Sequence, residues 1–162
     1  MRVLLARPAD AEAIRSIYNA EVAGSTATFD LVPRTPDEQI AWLSEHSGPY
    51  PAIVAMDDHD VVLGFGSLSV YRDRPAYATT VEDSVYVGED HRGKGVGRLL
   101  MEELIQLATR HGFHAVVARI GEDNGPSISL HQACGFRMVG VEQEVGRKFN
   151  RWLDVTVLQR LL

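Results

Sequence analysis

Seven consecutive residues, Arg92-Gly93-Lys94-Gly95-Val96-Gly97-Arg98, constrain this chain more than any other segment, because they lie where a strand pattern hands over to a helix pattern. Such a turn presents several successive backbone N–H groups at the positive end of a helix dipole, and phosphate oxygens are the natural ligand for that geometry. Glycine lets an anion approach the backbone closely and permits positive φ. Arg92, Lys94 and Arg98 add positive charge around the same point. Two nucleotide loops are excluded: G-x-x-x-x-G-K-[ST] is absent, and G-x-G-x-x-G is not completed from Gly93 or from Gly95. What remains is a pyrophosphate-bearing ligand other than ATP or NAD, set against the plainer reading of a tight turn with no ligand.

The elements around the turn follow from periodicity. Val3–Ala6 is a short apolar strand, and Asp10–Val22 carries apolar residues at 13, 14, 17 and 18, the spacing of an amphipathic helix. Thr35-Pro36-Asp37-Glu38 has the capping-box pattern and starts a helix reaching about Glu45. Ala52–Met56 and Val61–Val70 form a hairpin across Asp57–Asp60, and Thr79–Val87 is the strand that feeds the glycine turn. From Gly95 to His111 a helix presents Val96, Leu99, Leu100, Leu104, Leu107 and Ala108 on one face, and Gly112 ends it. Ala115–Ile120 is a buried strand, Pro126–Ala133 a short helix, and Phe136–Val145 and Trp152–Leu158 the last two strands. The order β-α-α-β-β-β-α-β-α-β-β implies a mixed α/β sheet and excludes a helical bundle or an all-β sandwich.

The 162 residues show no repeat, low-complexity tract or linker, so residues 1–162 are expected to form one domain. A net charge of −6 gives no electrostatic case for nucleic acid or an anionic membrane. Cys134 is the only cysteine, which rules out an internal disulfide and a zinc-type cysteine cluster, and no metal is expected. Cys134 is read as a buried thiol rather than a nucleophile. The start has neither the apolar run nor the cleavage site of a signal peptide, and no apolar run approaches a membrane span of about 20 residues. A cytoplasmic location is the expectation.

Arg92-x-x-Gly95-x-Gly97 is similar to the acetyl-CoA signature [QR]-x-x-G-x-[GA] of the GNAT acetyltransferase superfamily, and the order of elements resembles that fold over essentially the whole chain. The fold class this implies is a mixed, mostly antiparallel central sheet flanked by helices. The resemblance implies that Arg92, Gly93, Lys94, Gly95, Val96, Gly97 and Arg98 hold the CoA pyrophosphate. It implies that Val85, Tyr86 and Val87 offer backbone to pantetheine and the acetyl group, and that Asn124 contacts the pantetheine arm. Helix capping is the alternative for Asn124.

Five segments resemble one branch, the phosphinothricin and methionine-sulfoximine acetyltransferases. They are Tyr18-Asn19, Ser25–Phe29, Thr80–Val87, Ser129-Leu130-His131 through Gly135-Phe136, and Lys148–Asp154. The branch implies Glu82 as general base for the attacking amine, with a solvated carboxylate or structural ion pair as the alternative. Many superfamily members carry tyrosine where this chain has His131. The branch places histidine there, as a proton source for the leaving thiolate, against a merely satisfied helix histidine. Arg72, Asp73, Arg74, Glu82, Asp83 and Ser84 are expected to border the acceptor, Arg72 clamping a carboxylate. Phe29 is either a wall of that site or a core residue.

The expected activity is acetyl transfer from acetyl-CoA to the α-amine of a small amino acid or analogue such as phosphinothricin, methionine sulfoximine or methionine sulfone. A peptide N-terminus, a polyamine, or a non-catalytic CoA sensor are the alternatives. Lys148–Asp154 with the terminal strand is expected to form a homodimer interface.

Overall fold

A computed structural model describes all 162 residues. Eleven main elements follow the expected order: β1 (Arg2–Leu5), α1 (Ala11–Gly24), α2 (Pro36–Glu45), β2 (Ala52–Met56), β3 (Val62–Val70), β4 (Thr80–Val87), α3 (Val96–Arg110), β5 (Ala115–Gly121), α4 (Gly125–Ala133), β6 (Arg137–Lys148) and β7 (Arg151–Leu161). The seven strands form one sheet in the order β1-β2-β3-β4-β5-β7-β6. Every neighbouring pair is antiparallel except β4 with β5.

That parallel pair positions the site. β4 and β5 are in register only where Thr80, Val81 and Glu82 face Ala115, Val116 and Val117. β4 stays paired to β3 as far as Val87 opposite Gly64. From Asp83 onward its other edge is therefore without a ladder partner, and a slot opens between β4 and β5. Unpaired strand edges are templates for an extended, amide-bearing partner.

Each sheet face carries its own core. On one face Val96, Leu100, Met101, Leu104, Ile105 and Ala108 of α3 pack with Val81, Val116, Ala118, Ile120 and Leu158. Full burial of side chains such as Leu100, Met101 and Leu104 contributes about 1.5–3 kcal/mol each. The expected α3 face is close to this one, except that Leu99 and Leu107 are half-buried while Met101 and Ile105 complete it. On the other face α1 and α2 cover Val54, Met56 and Phe65 with Ile14, Tyr18, Val22 and Leu43. The capping box at α2 forms: Glu38 N–H donates to Thr35 Oγ1 at 3.2 Å and Thr35 N–H to Glu38 Oε2 at 2.8 Å.

The C-terminal strands run further than their apolar alternation indicates. β6 and β7 meet at a two-residue turn, Phe149-Asn150, with φ of 51° and 59°. Positive φ at both positions is the turn that matches strand twist. Phe-Asn does not advertise such a turn, and pairing with β5 and β6 extends β7 to Leu161.

Candidate active site

The amides of Gly93 through Arg98 donate to no backbone or side-chain acceptor, and Leu99 N–H to Gly95 O at 3.1 Å is the first bond of the α3 ladder. Six consecutive donors are therefore left without a protein partner at the positive end of the helix. Gly93 and Gly95 have φ of +70° and +83°, where an L side chain is strained although nothing would crowd its Cβ. Gly97 is small for a different reason, since a Cβ there would lie 3.1 Å from Leu130 Cδ2 of α4.

A cleft of about 550 Å³ runs from this turn along the free edge of β4. Val85, Tyr86, Val87, Arg92, Gly93, Gly95, Val96, Gly97, Arg98 and Asn124 line it, with Ser25, Thr26 and Ala27 of the α1–α2 loop opposite. Lys94 is not brought to the cleft, because its ammonium turns back to Asp90 O at 2.8 Å. The two arginines are already partnered: Arg92 is paired with Glu21 of α1, and Arg98 Nε donates to Glu102 Oε1 at 2.7 Å. The amides are free donors of the turn, and Arg92 and Arg98 still line the cleft beside them. Asn124 caps α4, accepting from Ser127 N–H at 3.3 Å, while also lining the cleft.

Strand alternation separates the residues of β4. Tyr86 packs into the core under α1 and α2, whereas Val81, Val85 and Val87 pack against the α3 core. Glu82 and Ser84 share the Tyr86 face, and Asp83 shares the Val81 face. Glu82 is half-buried and makes neither a hydrogen bond nor an ion pair, so the structural ion-pair reading does not hold. Burial raises its carboxyl above the ordinary carboxylate range, with Asp83 and Glu142 adding to the rise and Arg119 and Arg72 opposing it. Arg119 is held in a bidentate pair with Glu142, at 3.0 and 2.6 Å.

Asp83, expected beside the acceptor together with Glu82 and Ser84, does not share their face of the sheet. It is buried on the opposite face, where its Oδ2 lies 2.9 Å from Nε2 of His131. His131 Nδ1 lies 2.7 Å from the carbonyl of Ser127. A carbonyl on one side and a carboxylate on the other both require a donor, so the ring carries both protons. Burial works against the charged ring, but the bond and charge of Asp83 with the Ser127 carbonyl outweigh it and raise the His131 pKa. Asp83 Oδ1 is buried without a partner. Asp83 and His131 also line a cavity of about 50 Å³ with Ser84, Val85, Asn124 and Ser127, space enough for a water molecule.

The remaining sequence-predicted residues fall into two groups. Arg72, Asp73 and Arg74 stand in solvent between β3 and β4; Arg72 lies 5.1 and 5.7 Å from the rings of Tyr71 and Tyr77, and its charge is felt at Glu82. No contact brings Asp73 or Arg74 to Glu82. Phe29 is 37% exposed and not a core residue. Its ring fills the place of the missing Cβ of Gly146, and a Cβ at Gly121 would strike Thr26 O.

Several residues that sequence reasoning passed over tie the Ser25–Asp30 segment beside the slot. Lys148 is buried in β6 and donates from Nζ to Thr28 O at 2.9 Å and Glu21 O at 3.4 Å. Tyr18 OH lies 2.8 Å from Thr28 Oγ1 and donates to Asp30 Oδ2 at 2.6 Å. Thr26 Oγ1 donates to Glu122 O. The only sequence signal for Lys148 is its place in the Lys148–Asp154 segment. No group of three or more His, Cys, Asp or Glu is arranged to hold a metal ion, and no helix is long and apolar enough to cross a membrane.

Comparison with known proteins agrees with this geometry. Residues 13–136 match the Acetyltransferase (GNAT) family. The chain is 41% identical to phosphinothricin N-acetyltransferase of Streptomyces coelicolor over 94% of this chain and 91% of that one. It is also 41% identical to the L-methionine sulfoximine/L-methionine sulfone acetyltransferase of Pseudomonas aeruginosa over 93% and 88%. The crystal structure of a phosphinothricin acetyltransferase from Sinorhizobium meliloti in complex with acetyl-CoA superposes with a TM-score of 0.96 at 38% identity, covering 99% of this chain and 88% of that one. A chain with this slot, this amide-lined turn and these relatives belongs to the GNAT acetyltransferase family and is an N-acetyltransferase.

Proposed function

We propose that the enzyme transfers the acetyl group of acetyl-CoA to the α-amine of a small amino acid or analogue of the phosphinothricin, methionine sulfoximine or methionine sulfone type. The observation that carries this reading is the juxtaposition of six free amides, the unpaired edge of β4 and a half-buried, unpaired carboxylate on that same strand. The amides receive the pyrophosphate, and the free edge from Val85 to Val87 receives the amide-bearing pantetheine and polarises the thioester carbonyl. Glu82, raised by burial, takes the amine proton as the nitrogen attacks. His131, across β4, serves the departing thiolate through the small cavity it shares with Ser84, Val85 and Asn124. Arg72 receives the acceptor carboxylate, and Phe29, held by Gly146, walls the acceptor pocket. The relatives whose names carry these acceptors support the choice of substrate class.

Free-thiol release and product mass, measured with acetyl-CoA and a panel of amino acids, analogues, peptides and polyamines, test the reading. Acetylation of phosphinothricin- or methionine-sulfone-type acceptors well above the rest supports it. Preference for a peptide N-terminus or a polyamine replaces the acceptor, and tight CoA binding without turnover replaces the enzyme by a sensor.

The reading includes a homodimer. β6 is an edge strand that exposes Val139, Val141 and Val145, and the hairpin adds exposed Phe149 and Trp152. Such a stripe on an edge is suited to burial against a second copy. Light scattering at micromolar concentration checks it, and a monomeric mass contradicts it.

A further inference from the structure

For an ammonium acceptor the balanced reaction is R–NH3⁺ + CH3CO–S–CoA → R–NH–CO–CH3 + HS–CoA + H⁺. The N–C bond forms, the C–S bond breaks, the thiolate takes one proton, and one more must reach solvent in every turnover. Glu82 is half-buried on the face to which the proposed function assigns the acceptor, so a bound product there would stand between its carboxyl and solvent.

A hydroxyl flanks Glu82 along the same face, toward β3, without being hydrogen-bonded to it in this structure. Ser69 of β3 is the residue directly opposite Glu82 in the antiparallel β3–β4 pair, on the same face. Directly opposed residues have Cβ atoms about 4.5–5.5 Å apart, within reach of a glutamate carboxyl and a serine hydroxyl. Ser69 Oγ in turn lies 3.3 Å from Nε2 of His46, the residue that closes α2. His46 Nδ1 lies 2.8 Å from the carbonyl of Trp42, so the ring proton sits on Nδ1 and the Nε2 lone pair faces Ser69. Trp42 stacks on the ring with centroids 4.0 Å apart and fixes its plane. Burial lowers the His46 pKa, the Trp42 carbonyl opposes this, and Arg34 and Glu45 act in opposite directions, so the ring is a neutral acceptor at neutral pH. The charged groups facing Glu82 are Arg119, Asp83, Glu142 and Arg72.

We propose that Ser69 and His46 are a proton exit for Glu82, acting through that carboxylate rather than on the substrate. The inference rests on Glu82 being the base. After attack, the Glu82 O–H passes its proton to Ser69 Oγ as the Ser69 hydroxyl proton moves to His46 Nε2. The partly exposed imidazolium then gives it to water, and Glu82 is again a carboxylate.

The test compares kcat, acetyl-CoA KM and the response to added imidazole in the full-length enzyme and in His46→Ala, Ser69→Ala, Ser69→Thr and Glu82→Gln. The expected result is a loss of kcat of about tenfold in His46→Ala, smaller than the roughly hundredfold or more that removing a direct acid–base group costs because Glu82 itself remains, with acetyl-CoA KM unchanged and activity rising with imidazole concentration. Ser69→Ala loses a similar factor, the hydroxyl-retaining Ser69→Thr recovers most of it, and combining His46→Ala with Ser69→Ala adds little. Wild-type kcat in His46→Ala and Ser69→Ala alongside an impaired Glu82→Gln overturns the relay and leaves the base in place. A loss in His46→Ala that imidazole does not restore also overturns it, because a packing defect would behave that way. Full kcat in Glu82→Gln overturns the base assignment and the relay with it.

Discussion

Replacing Asp83 with asparagine tests the buried pair that sets the state of His131. The side chains of His131 and Asp83 are 5% and 1% exposed, so solvent does not screen the pair. Removing the carboxylate forfeits one charge-assisted hydrogen bond, about 1.5–3 kcal/mol. The cost stays below the 3–5 kcal/mol typical of a broken buried pair, because the ring escapes by losing its Nε2 proton. The introduced amide then donates to that nitrogen, while Nδ1–H stays on the Ser127 carbonyl. The sign follows from the raised folded-state pKa of His131. Stability from the charged pair is fully present below the unfolded value of about 6.5 and is lost as pH rises through the folded value. Thermal unfolding followed by circular dichroism at about pH 5.5 and at rising alkaline pH should therefore show Asp83→Asn lower by about 4–10 °C at the acid pH, with the deficit shrinking as pH rises. Equal melting temperatures at the acid pH, or a deficit that grows toward alkaline pH, would refute a doubly protonated His131.

Two further substitutions separate the acceptor side from the donor side. Gly146→Ala drives a methyl into the Phe29 ring and is expected to cost about 1–3 kcal/mol and raise acceptor KM without changing acetyl-CoA affinity; adding Phe29→Ala should return the stability in denaturant unfolding. Gly95→Ala meets no crowding but forces an alanine to φ near +83°, so about 1 kcal/mol of strain at the turn is expected to weaken acetyl-CoA binding severalfold in calorimetry while acceptor KM holds.

The donor half of the site was open to reading because it is local. The turn, the strand before it and the helix after it lie within Thr80–Arg110, and helix periodicity with glycine placement encodes all three. The half proposed to take the acceptor is built from long-range contacts that no spacing announces: Lys148 reaching the carbonyls of Glu21 and Thr28, Phe29 filling the gap at Gly146, and Ser69 lying across from Glu82. Asp83 is different, since period-two alternation alone places it on the opposite face from Glu82. Arg92, Lys94 and Arg98 cluster in sequence; in the structure Arg92 and Arg98 line the cleft while also pairing with Glu21 and Glu102, and Lys94 turns back to Asp90 O. The full length of the C-terminal hairpin is not legible in the sequence, because Phe149-Asn150 lacks the glycine that usually marks positive φ at such a turn.

The pH dependence of kcat/KM for acetyl transfer to methionine sulfone, measured for wild type and Glu82→Gln, is the most direct test of the central claim that a buried, unpaired carboxylate beside an amide-lined slot drives acetylation of an amine. The wild-type acid limb should fall with an apparent pKa above the ordinary carboxylate range, since burial raises Glu82. In Glu82→Gln that limb should vanish and kcat/KM should drop by about a hundredfold. Full kcat/KM across the pH range in Glu82→Gln would contradict the account.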